Sequence, residues 1–331
     1  MTNPLLAPNV LPFGAPPFNL IRPEHFSPAL EVAFRNHREA VAAIANNPAP
    51  ADFDNTLAAL ERSSFVLDRI VNLFHHYAAT LSDATLQEIE RELSPRLSRH
   101  QSDIFHMPGL FERIAAVHAT CDTLPEEPRR LVEEQYRWFT RAGAALAPAQ
   151  KEQLAELKSR LATGQTEFEQ KLLKETEATF FLLDAADLDG LPPYLREAAA
   201  AEAARRGHPE KFAIGINRSS AKEFIRFSAR RDLREKIYSR FAARGTGAYD
   251  TSAILREIVS LRQKIARLLG YPDYARFALE DSMAKTPEAA RGLLQDIWTP
   301  ALAKLRTERE ELQAEAHACG QNDPLTPWDW D

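Results

Sequence analysis

Ile254, Ile258, Leu261, Ile265 and Leu268 recur at steps of four, three, four and three, and Gly270 follows behind them. That spacing is one face of an α-helix and fits no strand, whose side chains alternate every second residue. The glycine reads as the residue after the helix, free to take positive φ. Upstream, Leu233, Ile237 and Phe241 stand four apart behind Asp232 and Glu235, which are spaced as a capping box. Gly245 and Gly247 break that pattern, and the next helix opens near Asp250 or Thr251. Downstream, a short helix from about Pro272 carries Tyr274, Phe277 and Ala278. Thr286 with Pro287 starts a last long helix that ends near His317 with Gly320 behind it. Pro300 inside it is expected to kink or interrupt it.

The same period governs the earlier chain. Residues 1–26 are rich in proline and read as an extended arm, with Leu11, Phe13, Phe18 and Ile21 as its anchors to the helical body. Ser27 as N-cap and Pro28 at the first helical position open a helix whose inner face is Leu30, Phe34, Val41 and Ile44, ending at Asn46-Asn47-Pro48. Asp54 or Asn55 caps the next, with Leu57, Leu60, Leu67, Ile70, Phe74 and Leu81 as its buried stripe. A third, from about Asp83 to Phe105, carries Leu86, Ile89, Leu93, Leu97 and Ile104, with Pro95 predicting a kink. Met107 to Thr123 gives a shorter helix around Leu110, Ile114 and Val117. Pro125 and Pro128 open another with Leu131, Trp138 and Phe139 inside, closing at Gly143. From Pro148 to about Glu175, Leu154, Leu157, Leu161, Phe168 and Leu172 keep near-heptad spacing, which predicts a long helix paired with that of 126–142.

Between 177 and 217 the period changes. The runs at 178–183 and 211–216 are short and β-type and flank a helix at 192–206, so they read as two strands of a small antiparallel sheet. Ser220 and Glu223 then cap a short helix. The fold class is therefore all-α, mainly long antiparallel helices, with one small antiparallel β-sheet. The organisation is a proline-rich arm at 1–26, a helical lobe at 27–176, a small β/α insert at 177–217, and helices at 218–331. No clean repeat of solenoid length is present.

Composition narrows the function classes. The 41 basic and 47 acidic residues leave a net charge of −6, which gives no reason to expect nucleic-acid binding. No apolar run approaches a membrane span, and no signal-peptide pattern opens the chain. Two cysteines, Cys121 and Cys319, give no disulfide framework, and a reducing, cytoplasmic setting fits them best.

Candidate chemistry is sparse. None of the nine histidines stands in H-E-x-x-H, the spacing that sets two imidazoles on one helix face beside a carboxylate. His37-Arg38-Glu39 and His75-His76 are the nearest approaches, but adjacent helical side chains diverge by about 100°, so surface histidines are the favoured reading. His118 precedes Cys121 by three residues and His317 precedes Cys319 by two. No partner or oxyanion hole is signalled for either thiol. No catalytic, cofactor-binding or metal-binding residue is assigned.

The run LLGYPDYARFALEDSMAKTPEAA, with RDLREKIYSRF before it, resembles the thimet oligopeptidase-like zinc metallopeptidases. DFDNTLAALERS at 52–63 and PWDWD at 327–331 agree with that family, and the likeness extends over essentially the whole chain. Within the family the peptidyl-dipeptidases are most similar, and oligopeptidase A-like endopeptidases are the alternative. The resemblance implies a helical enzyme about twice this length that removes dipeptides from the C-termini of short peptides. It implies catalytic zinc held by residues beyond 331, with this chain as the N-terminal channel wall, inactive alone and without bound metal. The implied partners are short peptides and the absent catalytic half. A non-catalytic helical scaffold, or one half of a split enzyme, is the other class of reading. On the family reading, Arg226, Arg230, Arg231, Arg234, Lys236, Arg240 and Arg244 are candidates to attract a peptide carboxylate, against the plainer reading of a solvated helix face. Some of the seam residues of 250–318 (Ile254, Ile258, Leu261 and Leu268; Leu293, Leu294, Ile297 and Leu302), with Trp328 and Trp330, are then expected to be exposed where the absent half would lie.

Overall fold

Phe26, Leu30 and Phe34 lie on one face of a helix because they recur at four, and that face meets Ile70, Phe74 and Tyr77 to form the first core. The structure, a computed structural model, describes residues 3–8, 10–81 and 84–330, and these form two compact units that divide after Lys151.

The first unit contains α1 (Phe26–Ala45), α2 (Ala59–Thr80), α3 (Ala84–Phe105), α4 (Leu110–His118) and α5 (Glu126–Ala142). Leu86 and Leu93 of α3 complete the α1–α2 core, and Leu5 and Ile21 seal it from the N-terminal segment. Of the four expected anchors only Ile21 is buried; Leu11, Phe13 and Phe18 are exposed. A second core joins Val41 and Ile44 to Leu60, Ile104, Ile114, Val132 and Phe139. Each such side chain removed from water contributes roughly 1.5–3 kcal/mol.

Several boundaries differ from the sequence reading. A 3₁₀ turn at Pro23–His25, in which His25 Nδ1 accepts the N–H of Arg22 at 3.0 Å, runs straight into α1. Ser27 and Pro28 therefore sit inside the first helical turn, where proline's missing N–H leaves no bond unmade. Asp52, not Asp54 or Asn55, caps the next element. It accepts Asn55 N–H at 2.8 Å while Asn55 Oδ1 accepts Asp52 N–H at 3.1 Å, and π-type turns over Phe53–Ala58 lead into α2. Arg113 of α4 secures this start, donating to the Asn47 and Ala49 carbonyls and to Asn55 Oδ1. Leu81 and Trp138, expected inside, are exposed; on α5 the buried residues are Val132, Gln135 and Phe139. The expected start of α3 at Asp83 lies outside the described residues. The helix runs on through Pro95, whose unserved carbonyl partner belongs to the exposed Arg91.

The second unit begins within α6 (Pro148–Ala178) and continues through β1 (Phe180–Leu183), α7 (Pro193–Arg205), β2 (Phe212–Gly215), α8 (Arg218–Phe227), α9 (Arg231–Ala242), α10 (Ser252–Leu268), α11 (Tyr274–Leu279) and α12 (Pro287–Ala318). The two strands pair antiparallel as expected, Phe180 opposite Gly215 and Leu183 opposite Phe212. Leu183, Leu195, Ile214, Phe224, Ile225 and Ile237 form a core between sheet, α7, α8 and α9. Asn217 caps α8 by accepting Ser220 N–H at 2.8 Å, so Ser220 and Glu223 serve elsewhere: Ser220 Oγ accepts the N–H of Gly215, and Glu223 accepts the Tyr194 hydroxyl.

No side chain caps α9; both Asp232 oxygens accept instead from Arg230, each at 3.0 Å. On α10 the seam is buried at Ile258, Leu261 and Ile265, and Gly270, at φ 89°, closes the helix as expected. Thr286 caps α12, accepting Ala289 N–H at 3.1 Å. Pro300 does not interrupt that helix; the carbonyl it leaves without an N–H partner belongs to the exposed Asp296, on the solvent side.

Candidate functional site

The metal and nucleophile candidates are scattered. His75 and His76 are exposed on α2, and His118 stacks on Tyr136 with ring centroids 3.9 Å apart. Cys121 is buried and Cys319 exposed. His317 meets the Gln313 amide at 3.0 Å. His37 and His100, 63 residues apart in sequence, do meet, His37 Nδ1 lying 2.8 Å from His100 Nε2. Among the described residues no three His, Cys, Asp or Glu side chains stand where they could hold one metal ion, so a catalytic zinc does not fit them.

The basic cluster of α8 and α9 is largely committed to structure. Arg231 donates through Nε and Nη2 to both oxygens of Asp329, and Arg234 Nη2 donates to Oδ1 of the same carboxylate at 2.7 Å. Arg234 also donates to the carbonyls of Ser228 and Trp328. Arg230 pairs with Asp187 and Asp232, and Arg240 with Glu175. Neither a peptide-carboxylate pocket nor a merely solvated face describes these four arginines. Arg231 and Arg234 fasten the segment around Asp329 to α9, Arg240 fastens the end of α6 to it, and Arg230 ties the start of α9 to Asp187.

Asp329 is enclosed as well, its side chain 2% exposed. Burial alone would push its carboxyl up. The bonds from Arg231, from Thr326 (Oγ1 at 2.7 Å, N–H at 3.1 Å) and from Arg234 outweigh that and hold it far below the usual carboxylate range. Gln313 of α12 holds the same segment from the other side, donating to the Asp323 carbonyl at 3.2 Å and accepting Leu325 N–H at 2.8 Å. Trp328 packs against the α8–α9 core and Tyr238. Trp328 and Trp330 are therefore half-buried, contrary to their expected exposure, because the segment folds back onto α9.

The surface of α12 is different. None of its 32 residues is buried. Leu293, Leu294, Ile297, Trp298, Leu305 and Leu312 are all exposed, and at 100° per residue they fall within an arc of about 140°. Leu255 and Val259 on the outer side of α10 are exposed as well. Of the seam residues expected to be exposed, Leu293, Leu294 and Ile297 are, whereas Ile254, Leu268 and Leu302 are half-buried and Ile258 and Leu261 are covered. Beside α12, the returning segment forms a groove of about 490 Å³ with Leu305, Arg309, Leu325, Pro327 and Trp330 in its walls.

Three features escaped the sequence reading. Glu175 is fully buried on α6, and it continues the apolar spacing of Phe168 and Leu172, so a carboxylate in core phase was its signal. Asp329 and the His37–His100 contact depend on pairings across long sequence separations and left no local signal.

Residues 224–331, from α8 through the PWDWD segment, match the model of peptidase family M3. Over 99% of its length the chain is 34% identical to the dipeptidyl carboxypeptidases of Salmonella typhimurium and of Escherichia coli. It is 29% identical to oligopeptidase A of Escherichia coli, again over 99% of its length. The chain spans about half the length of the curated relatives it matches, 49% in each of these three cases. The chain thus matches peptidase family M3 over residues 224–331 and is similar to these peptidases along nearly all of its own length. No described helix is long and apolar enough to cross a membrane.

Proposed function

We propose that this chain is the channel-wall part of a zinc-dependent peptidyl-dipeptidase, working in the cytoplasm on the C-termini of short peptides. The observation that carries the reading is α12, a 32-residue helix with a continuous apolar face and no buried residue, in a chain half as long as its relatives. A stripe of that width normally faces a core. Its partner in this reading is the remaining part of the family enzyme, which also brings the zinc and the catalytic groups; no step of the chemistry is assigned to residues described here. The 34% identity to dipeptidyl carboxypeptidases, against 29% for oligopeptidase A, favours exo- over endopeptidase action.

The test is to co-express the chain with the part of the Escherichia coli dipeptidyl carboxypeptidase that the alignment leaves out. A one-to-one complex that releases dipeptides from a blocked tetrapeptide, and loses both properties when Leu294 and Ile297 become Glu, is the expected result. Internal cleavage without dipeptide release transfers the reading to the oligopeptidase A type. Failure to associate, with no cleavage, leaves the helical scaffold as the better reading.

A further inference from the structure

We propose that the first unit carries a binding site for a small tetrahedral oxyanion of the phosphate class, between α1 and α3. This inference is independent of the peptidase reading. Glu31, Phe34, Arg35 and Arg38 follow one another at helical spacing along one face of α1, and Arg96, Arg99, His100 and Asp103 do the same on α3. The two stripes enclose a cavity of about 220 Å³ that is open on one side. Four guanidinium groups line it against two carboxylates, which leaves two formal positive charges uncompensated.

The pairing identifies which charges are free. Arg96 Nη2 donates to Glu31 at 2.7 Å, and Arg38 lies 3.9 Å from Asp103. Arg35 and Arg99 have no hydrogen-bond or ion-pair partner among the described residues. Like charges at this spacing on one helix repel, and α1 sets Arg35 beside Arg38 as α3 sets Arg96 beside Arg99. A bound anion removes that cost. The rest of the lining suits one. Phe34 is buried in the lining, with the Arg96 guanidinium over its ring at 5.3 Å and the His100 ring tilted against it at 4.8 Å, which limits how far these side chains swing. His100 is 5% exposed and its Nδ1 has no hydrogen-bond partner. Its Nε2 is engaged by His37, so Nδ1 is the one polar atom of the ring left to serve a ligand.

Arginine, rather than lysine, at all four positions fits the choice of ligand. The planar fork gives two parallel bonds to one oxyanion, and guanidinium is less strongly hydrated than ammonium. The volume accommodates a phosphate group and excludes a folded partner. The open side allows that phosphate to be free or to be the end of a larger molecule.

The experiment is calorimetric titration of the whole 331-residue chain with inorganic phosphate, O-phosphoserine and acetate, with sodium chloride added to hold ionic strength constant. The expected result is saturable one-site binding of phosphate, weakened by about tenfold or more in the Arg35→Gln/Arg99→Gln double variant. Both side chains are exposed and unpaired, so that variant folds, which its helical circular dichroism checks. An Arg218→Gln variant, from the other unit, is expected to bind as the parent does. Phosphoserine binding as tightly as phosphate assigns the site to phosphorylated molecules, and phosphate alone assigns it to the free ion. No saturable signal, equal binding by the double variant, or tighter binding of acetate would each overturn the proposal.

Discussion

The buried carboxylate of Glu175 accepts the backbone N–H of Gly245 at 2.6 Å, and its other oxygen takes Arg240 Nη2 at 2.5 Å. One side chain on α6 thus fixes the turn between α9 and α10. Lys171, one helical turn earlier, donates to the Asp250 carbonyl at 2.6 Å. Removing one partner of such a group leaves the others buried and unserved. Glu175→Leu is expected to cost about 3–5 kcal/mol, read as a lower urea midpoint for the second unit with an unchanged slope. An effect within 0.5 kcal/mol would mean the turn is held by other contacts.

Gly245 itself tests the same turn from the backbone side. Its φ is 75°, and a Cβ there would stand 2.9 Å from Thr251 Oγ1. Gly245→Ala is expected to cost about 1–2 kcal/mol from the left-handed conformation alone, and more if Thr251 cannot move. A neutral substitution would show that the turn relaxes out of positive φ.

Asp329 gives a pH signature. Its carboxyl is held below the ordinary value of 3.8, so the stability it contributes is fully present above that pH and is lost as pH falls further. Arg231 and Arg234 remain partly exposed and can rehydrate, so Asp329→Asn is expected to cost about 2 kcal/mol at pH 7. Below pH 3.8 the gap between parent and variant is expected to narrow. Urea midpoints of the two proteins across that range decide it, and a gap that widens on acidification contradicts the assignment.

What the sequence made legible follows from the range of the interactions. Helix interiors are set by neighbours three and four residues apart, and the seam Ile258–Leu261–Ile265, the strand pair and the Gly270 terminus all appeared where periodicity put them. Helix starts were less legible. Asp52 rather than Asp54, and Asn217 rather than Ser220, win because each cap is chosen by one hydrogen bond among several polar candidates in a row. Asp232 was spaced for a capping box, yet Arg230 takes its carboxylate. Charged groups were the least legible. The Arg231–Asp329 pair spans 98 residues, and nothing local to α9 distinguishes it from a solvated helix face.

The His37–His100 contact predicts a second acid sensitivity, opposite in origin. Burial lowers both imidazoles first of all. For His100, His37 and Arg38 add to it and Asp103 opposes it, bringing its pKa to about 4, and for His37 Asp68 opposes it. Arg35, Arg96, Arg99 and Glu31 complete the charged surroundings of His100. A histidine depressed in the fold leaves the unfolded chain to take up the proton first. Stability is therefore full above pH 6.5 and falls as pH drops from there toward about 4. For His100, the loss is expected to be about 2–3 kcal/mol across that window in phosphate-free buffer. His100→Phe is expected to flatten the slope for the first unit, and an unchanged slope would assign the loss to other groups.

The apolar face of α12 makes the last prediction. Because no residue of this helix is buried, its side chains hold little of the unit together, and surface substitutions there are expected to stay within about 0.5 kcal/mol of neutral. Yet Leu293, Leu294, Ile297 and Trp298 sit in water side by side, and covering such surface gains roughly 25 cal/mol per Å². The face is long enough to exceed the apolar patches that monomers usually expose. The isolated chain is therefore expected to bind a hydrophobic dye and to associate as concentration rises. Leu294→Glu with Ile297→Glu is expected to abolish both while leaving helical content unchanged. Light scattering and dye fluorescence on parent and variant decide the matter. Association that persists in the variant would place the sticky surface elsewhere. A dye-silent parent would mean that the stripe is tolerated in water and needs no cover.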